Sequence, residues 1–312
     1  MRRVLVTGAG GMVGYQVIRF LLSEGKYDIT VLDLKTKEVF KKLKNFRKRV
    51  NIVYGDVNDS SLIDSLVKDN DVIIHLAGII PPMANLRDDL CEQMDYGGTK
   101  NICDAIKRYN PNCHLLYASS TSVYGKKEDN ISLKSKCEYD ELDYYSKYKI
   151  KCEDYIEDSI KNYTIFRLAY VLGDPSRDSI IYNVNLDSNL ETISSEDAGY
   201  AFVCAIDNLK VLNKKKFNLS GGEKFRTRYS EFIVNILKRY GLSLRFLGVW
   251  LFSEKNYYGG YYSDGDNLED ILNFRSKNLS VYYETLEKYK NKISRVIPRL
   301  LAIPFILKYK KK

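Results

Sequence analysis

The chain has 312 residues, 45% hydrophobic and 29% charged, which suits a soluble globular protein with room for a large α/β domain and a smaller one. Its net charge of +9 bears on solubility and the steering of anions rather than on fold. No apolar run reaches the roughly 18–20 residues of a membrane span, and no signal-peptide pattern precedes the first strand, so no membrane span and a cytoplasmic location are expected.

In chain order, Val4–Thr7 reads as a strand. The glycine-rich run Gly8-Ala9-Gly10-Gly11-Met12-Val13-Gly14 follows, leading into a helical pattern over Met12–Glu24. Further strands are expected at Ile29–Asp33, Asn51–Tyr54, Asp71–Leu76, Leu115–Ser119 and Thr164–Arg167. Helices are expected between them at Ser61–Val67, Leu90–Tyr109 and Tyr144–Lys161. Such alternation builds a parallel sheet covered on both faces, with its ligand at the carboxyl ends of the strands. The expected class is therefore α/β, a Rossmann-like doubly wound sheet over residues 1–175.

Beyond Gly173 the rhythm breaks. A helix is expected at Ser195–Ile206, a strand at Phe217–Leu219 and a helix at Arg228–Tyr240. A Gly- and Tyr-rich loop at Asn256–Asp266 precedes a helix at Asn278–Ile293, and Pro298 and Pro304 punctuate an apolar tail expected to pack on the core. Residues 176–312 are expected mainly to form a smaller C-terminal substrate-binding region, with some segments returning to the first domain. Lys35–Arg49 and Lys308–Lys312 are strongly basic. They read as a solvated helix and a frayed tail, so no nucleic-acid partner is expected.

The six cysteines are scattered without a C-x-x-C pair, which points to reduced thiols. With only two histidines, His75 and His114, a histidine-based metal site or a Ser-His-Asp triad has almost no material, and no metal is expected. His75 reads as a strand-end residue.

Gly8, Gly11 and Gly14 follow a strand and open a helix, the context in which backbone approaches a pyrophosphate resting on the helix N-terminus. Asp33 ends the second strand, 19 residues past Gly14. A carboxylate there accepts the adenosine ribose hydroxyls and repels a 2′-phosphate, which favours NAD; Lys35 and Lys37 keep NADP open as the alternative. Asp56 and Val57, after the third strand, offer an adenine contact, or in the case of Asp56 a turn or helix cap.

Ser120 follows the apolar strand before Tyr145-Ser146-Lys147-Tyr148-Lys149 opens a helix, with Glu153 a turn later. Tyr145 and Lys149 lie four residues apart on one helix face, where the ammonium stabilises a phenolate whose free pKa is near 10. A frame built on Ser146-Lys147 would place Asp143 in the tyrosine position. Tyr144 lies on another face.

With the glycine loop and Leu76-Ala77-Gly78, these segments resemble the extended short-chain dehydrogenase/reductase family, the NAD-dependent epimerase/dehydratase group, over about residues 2–220. The resemblance implies catalysis by Ser120, Tyr145 and Lys149: Ser120 bonds the substrate oxygen, Tyr145 moves its proton and Lys149 also bonds the nicotinamide ribose. It places the cofactor against Gly8, Gly11, Met12, Val13 and Gly14, then Asp33, Leu34, Asp56 and Val57. Leu76, Ala77, Gly78 and Ala169 complete that site, with Tyr145 and Lys149.

Departures from the family pattern narrow the reaction. Thr121 and Ser122 stand where dehydratases carry an acidic pair, which disfavours a lyase. Asp95 stands where the family usually has Asn, and Tyr170 replaces the Asn that reaches the nucleotide diphosphate in epimerases. The segment from Gly173 to Ser195 is short for clasping a nucleotide. The leading reading is an NAD-dependent oxidoreductase or epimerase acting at a carbinol or carbonyl carbon of a small or sugar-like substrate. The alternatives are a nucleotide-sugar 4-epimerase that retains its NAD, and a non-catalytic dinucleotide sensor or RNA-associated scaffold. A homodimer pairing through two helices is what the resemblance implies.

Overall fold

The structure is a computed structural model and describes residues 1–81, 83–84, 87–126, 130–140, 143–173, 184–239, 252 and 260–287. Strand β1 (Arg2–Thr7) shows why the sheet is covered twice: Val4 and Val6 pack into one core and Leu5 into the other, all fully buried. Side chains alternate across a strand, so apolar residues on both faces need helices on both sides.

The other strands of this sheet are β2 (Tyr27–Asp33), β3 (Asn51–Tyr54), β4 (Val72–His75), β5 (His114–Ser120) and β6 (Tyr163–Leu168). After β7 (Tyr170–Leu172) and β8 (Asn189–Ser194), strand β9 (Lys215–Leu219) returns to it as the seventh member. The order is β3-β2-β1-β4-β5-β6-β9, with every pairing parallel. The order reverses between β1 and β4, and the crevice at the carboxyl ends of these two strands is where such a sheet binds its ligand.

Helix α1 (Met12–Glu24) stops at Gly25, whose φ of 65° lies in the left-handed region that glycine tolerates. Helices α2 (Lys37–Leu43) and α3 (Ser60–Lys68) follow, the latter capped by the Asp59 side chain, which accepts from Leu62 N. The expected single helix over Leu90–Tyr109 is instead α4 (Asp88–Cys91), a π-helical turn (Glu92–Gly97) and α5 (Gly98–Tyr109). Apolar periodicity does not reveal the extra residue that widens one turn. Helix α6 (Tyr144–Ser159) packs with α5 and α3 on one face of the sheet. Helix α7 (Ser195–Asp207) packs on α1 across the other face, ahead of the short α8 (Leu209–Leu212).

The second sheet was not anticipated, because its strands β7 and β10 (Arg226–Arg228) have three residues each, too few to show a period. Its order is β10-β8-β7. A smaller core holds Phe225, Tyr229, Phe232, Tyr282, Tyr283 and Leu286, carried largely by α9 (Tyr229–Arg239) and α11 (Leu279–Glu287). Asp266, expected at the end of a loop, begins α10 (Asp266–Leu272). Residues 256–259 of that loop, 288–293 of the last expected helix, and the proline-punctuated tail lie outside the described residues. All six cysteines are free thiols, and no described helix is long and apolar enough to cross a membrane.

Candidate active site

The crevice between β1 and β4 is lined by backbone. Gly8 has φ 69°, and a Cβ there would lie 2.7 Å from Ala77 N and 2.8 Å from Leu76 O. Gly14 is closer still, with a Cβ position 2.3 Å from Gly8 O, so α1 rests directly on the loop. No side chain caps α1 at Gly11, which leaves first-turn N–H groups of Met12, Val13 and Gly14 to an outside acceptor. The Asp33 carboxylate closes the loop: Oδ2 accepts from Gly10 N at 2.7 Å and Oδ1 from Leu34 N at 2.7 Å. Burial raises the Asp33 carboxyl, against the pull of these N–H groups and of Lys42. Each oxygen keeps a second lone pair for a ribose hydroxyl. The loop and carboxylate therefore fit a dinucleotide.

Other expected cofactor residues are placed less uniformly around this crevice. The Met12 side chain crosses Gly173, where a Cβ would overlap its sulfur, and Leu34 is exposed beside Asp33. Asp56 Oδ1 accepts from both Asn58 N and Asn58 Nδ2 at 2.9 Å, which is the turn role. Val57 is buried against Gly98. Leu76 and Ala77 are tied to Thr7, at 3.2 Å to its carbonyl and 3.3 Å to its hydroxyl, and Ala169 N donates to Leu219 O at 3.0 Å.

At the end of β5, Ser120 Oγ accepts from Ser122 N at 3.1 Å, and the Ser120 hydroxyl favours the ionised form of the Tyr145 phenol. Asp143 caps α6 by accepting from Ser146 N at 3.1 Å, and Ser146 Oγ donates to Ser122 O at 3.0 Å, so the helix start is fastened to the strand end. This also separates the two lysine frames. Lys147 lies at the surface, 2.9 Å from Asp88, whereas Lys149 is buried with its Nζ 5.6 Å from the Tyr145 ring centroid. Tyr144 and Tyr145 both pack against the cluster of Ala84, Cys91 and Tyr148, but it is the surface Lys147 whose Nζ lies 5.8 Å from the Tyr144 ring.

Lys149 donates to Ala118 O at 3.1 Å and Tyr117 Oη at 3.3 Å, and faces Asp95 Oδ1 at 3.3 Å. Burial works against its ammonium, but the Asp95 carboxylate and the Tyr145 phenol outweigh it and raise Lys149 above the ordinary lysine range. Burial raises the Tyr145 phenol; Lys149 and the Ser120 hydroxyl pull it down and Asp95 pushes it up. Sequence reasoning noted Asp95 only as a departure and gave Tyr117 no role. The signal that joins them to Lys149 is spatial, made by the π-turn and by β5.

A buried ionic cluster fixes α6 from below. Glu153 receives Ser119 Oγ at 2.5 Å, Arg167 Nη2 at 2.6 Å and Lys216 Nζ at 3.1 Å. Burial would raise its carboxyl, yet the Arg167 fork and Lys216 hold it below the ordinary range. On the other side, His75 bonds Thr7 Oγ1 at 2.7 Å and Thr99 Oγ1 at 3.1 Å. Thr99 gives its own proton to Asp95 O at 2.6 Å, so Nε2 of His75 carries the ring proton. Burial, with Lys149 beside it, pushes His75 down to about 3, leaving a neutral imidazole. Among the described residues no cluster of His, Cys, Asp or Glu has the form of a metal site.

Comparison with known proteins gives a model match to the NAD dependent epimerase/dehydratase family over residues 4–184. The CDP-paratose 2-epimerase of Salmonella typhi is 30% identical over 132 residues, 40% of this chain and 39% of that protein. The dTDP-glucose 4,6-dehydratase of Mycolicibacterium smegmatis is 32% identical over 129 residues, 40% of this chain and 38% of that protein. The matched stretch thus spans about two fifths of the length of these curated relatives. In fold, the chain resembles the UDP-glucuronic acid 4-epimerase of Bacillus cereus, solved with UDP-glucuronic acid and NAD. The TM-score is 0.77 at 18% identity, over 93% of this chain and 99% of that one.

Proposed function

Since the chain belongs to the NAD-dependent epimerase/dehydratase family, we propose that it transfers hydride at a carbinol or carbonyl carbon of a small or sugar-like substrate, with Tyr145 as its proton carrier. When bound, NAD supplies the two-electron step, accepting hydride from a carbinol carbon or its reduced form returning hydride to a carbonyl carbon. The glycine loop and the N-terminus of α1 hold the pyrophosphate, and Asp33 takes the adenosine ribose hydroxyls. Ser120 orients the substrate oxygen. Tyr145 accepts its proton as the carbinol becomes a carbonyl, or donates one in the reverse direction, and Lys149 stabilises the phenolate.

The observation that supports this reading is the Tyr145 ring, with the Lys149 ammonium 5.6 Å from its centroid, in a site beside a backbone-lined dinucleotide crevice. Tyr145→Phe should lower NAD(H)-linked turnover by roughly 10²–10⁴-fold while leaving NAD affinity nearly unchanged. A panel of sugar acids, polyols and nucleotide sugars provides the assay, and undiminished turnover in the variant rejects the assignment.

A second reading, a nucleotide-sugar 4-epimerase, is favoured by the likeness in fold to the Bacillus cereus enzyme over 99% of that chain. Co-purified NAD together with interconversion of UDP-hexoses selects it; lack of both selects net oxidoreduction. On either reading the region after residue 175 covers the substrate, and the protein acts in the cytoplasm as a homodimer. Pairing would use the outer faces of α5 and α6, where Lys100, Asp104 and Tyr155 form a polar surface. A monomer mass by light scattering rejects the dimer.

A further inference from the structure

We propose that Asp95 is a positioning residue of the proton-transfer pair: it answers the Lys149 charge from inside the protein, keeps the Tyr145 phenol protonated at rest, and so sets the site to donate a proton to a carbonyl oxygen. The inference rests on Tyr145 as proton carrier and adds the direction in which the site is poised. In that direction a carbonyl carbon takes hydride from the reduced nicotinamide, its oxygen takes the phenolic proton, and the phenolate is reprotonated from solvent.

The geometry behind this is specific to the π-turn. Asp95 and Lys149 lie 3.3 Å apart with side chains only 1% and 7% exposed, so solvent screens their attraction little. The Asp95 carboxylate lies flush against the Gly78–Ile79 backbone. Oδ2 accepts from Ile79 N at 3.4 Å, and a Cβ on Gly78 would stand 2.4 Å from Oδ1. The turn also redirects the Asp95 carbonyl, which receives Thr99 Oγ1 at 2.6 Å and Cys152 Sγ at 3.4 Å. Backbone and side chain of one residue thereby anchor α5, α6 and the crevice wall.

The groups around the pair leave the balance to Asp95. From β4 comes His75, neutral because burial holds it at about 3. β5 contributes the Tyr117 phenol, held well above its ordinary value by burial, and the Ser120 hydroxyl. α6 contributes Cys152, which burial raises, and Asp143 at its N-cap adds a second carboxylate toward Tyr145. α4 contributes Cys91, pushed up by burial to about 12. The phenol thus faces one cation, Lys149, and two acids, Asp95 and Asp143; burial raises both carboxyls, against the Lys149 charge at Asp95 and the Ser146 donors at Asp143. A neighbouring charge within about 4–6 Å commonly changes a phenolate population by ten-fold or more.

The test is a tyrosinate absorbance titration of the full chain, comparing native protein, Asp95→Asn, Tyr145→Phe and the double variant. Asp95→Asn should gain a single phenolate between about pH 7 and 9, below the ordinary phenol range, and lose it in the double variant. Native protein should show no phenolate there that Tyr145→Phe removes. Gly78→Ala reaches the same ion pair from the opposite side, because its methyl would stand 2.4 Å from Asp95 Oδ1 and so push that oxygen away from Lys149; it should reproduce the early phenolate if Asp95→Asn does not fold. Titration of folded Asp95→Asn like native protein, or an early Tyr145 phenolate in the native chain, overturns the proposal. Either result leaves the role of Tyr145 to the turnover of Tyr145→Phe, so the two failures are distinguishable.

Discussion

His75 shows how one side chain can support a site without entering its chemistry. Thr7 and Thr99 occupy both ring nitrogens, and the imidazole is buried against the floor that carries Lys149. In the unfolded chain it takes a proton near the ordinary value of 6.5, but in the folded chain only at about 3. Between these values the unfolded state binds more protons, so stability falls as the pH falls from about 6.5 toward 3. The Glu153 carboxyl, held low by Arg167, adds acid sensitivity of the same sign, lost only as pH falls through its folded value. Denaturant midpoints measured from pH 7 to about 4 should therefore decline in native protein. His75→Gln, which keeps a donor and an acceptor, should flatten part of that decline, and an equal decline in both proteins contradicts the assignment.

At the scale of elements, the contact of α1 with the glycine loop decides a competition between two effects. Alanine in place of a helical glycine ordinarily stabilises by about 1 kcal/mol. At Gly14 the new methyl would sit 2.3 Å from Gly8 O, a backbone atom that cannot swing away, and overpacking of this kind costs about 1–3 kcal/mol. Gly14→Ala should accordingly lower the melting temperature and weaken NAD binding about ten-fold or more, read by calorimetry. A more stable variant with native affinity would show that the loop yields.

The long parallel strands and α1 were legible in the sequence because a doubly covered strand is apolar on both faces and Gly11 and Gly25 bracket the helix. The placement of Tyr145 and Lys149 on one face was legible from helix spacing. The π-turn was not, since it changes hydrogen-bond register without changing apolar pattern, and with it went the meeting of Asp95 and Lys149. The three-residue strands β7 and β10 carried no period to read.

Across the whole molecule, a hydrogen-bonded path joins the site to the chain beyond it. Tyr124 Oη donates to Asn218 Oδ1 at 2.7 Å, Asn218 Nδ2 to Asp264 Oδ1 at 2.8 Å, and Leu133 N to Asp264 Oδ2 at 2.7 Å. Tyr124 ends the turn Thr121–Tyr124 after Ser120, Asn218 lies on β9 and Asp264 precedes α10, so segments distant in sequence meet at one carboxylate. Asp264→Ala should cost about 1–3 kcal/mol for each donor left without this acceptor, measured by denaturant unfolding. A loss below about 0.5 kcal/mol would mean that water replaces the carboxylate. The decisive measurement is a crystal structure of the native protein with NAD bound. The dinucleotide pyrophosphate should lie on the N-terminus of α1, and the Tyr145 hydroxyl should face nicotinamide C4 across a substrate-sized gap, with Ser120 on the same side. NAD bound elsewhere, or that hydroxyl turned away from the nicotinamide, would contradict this placement.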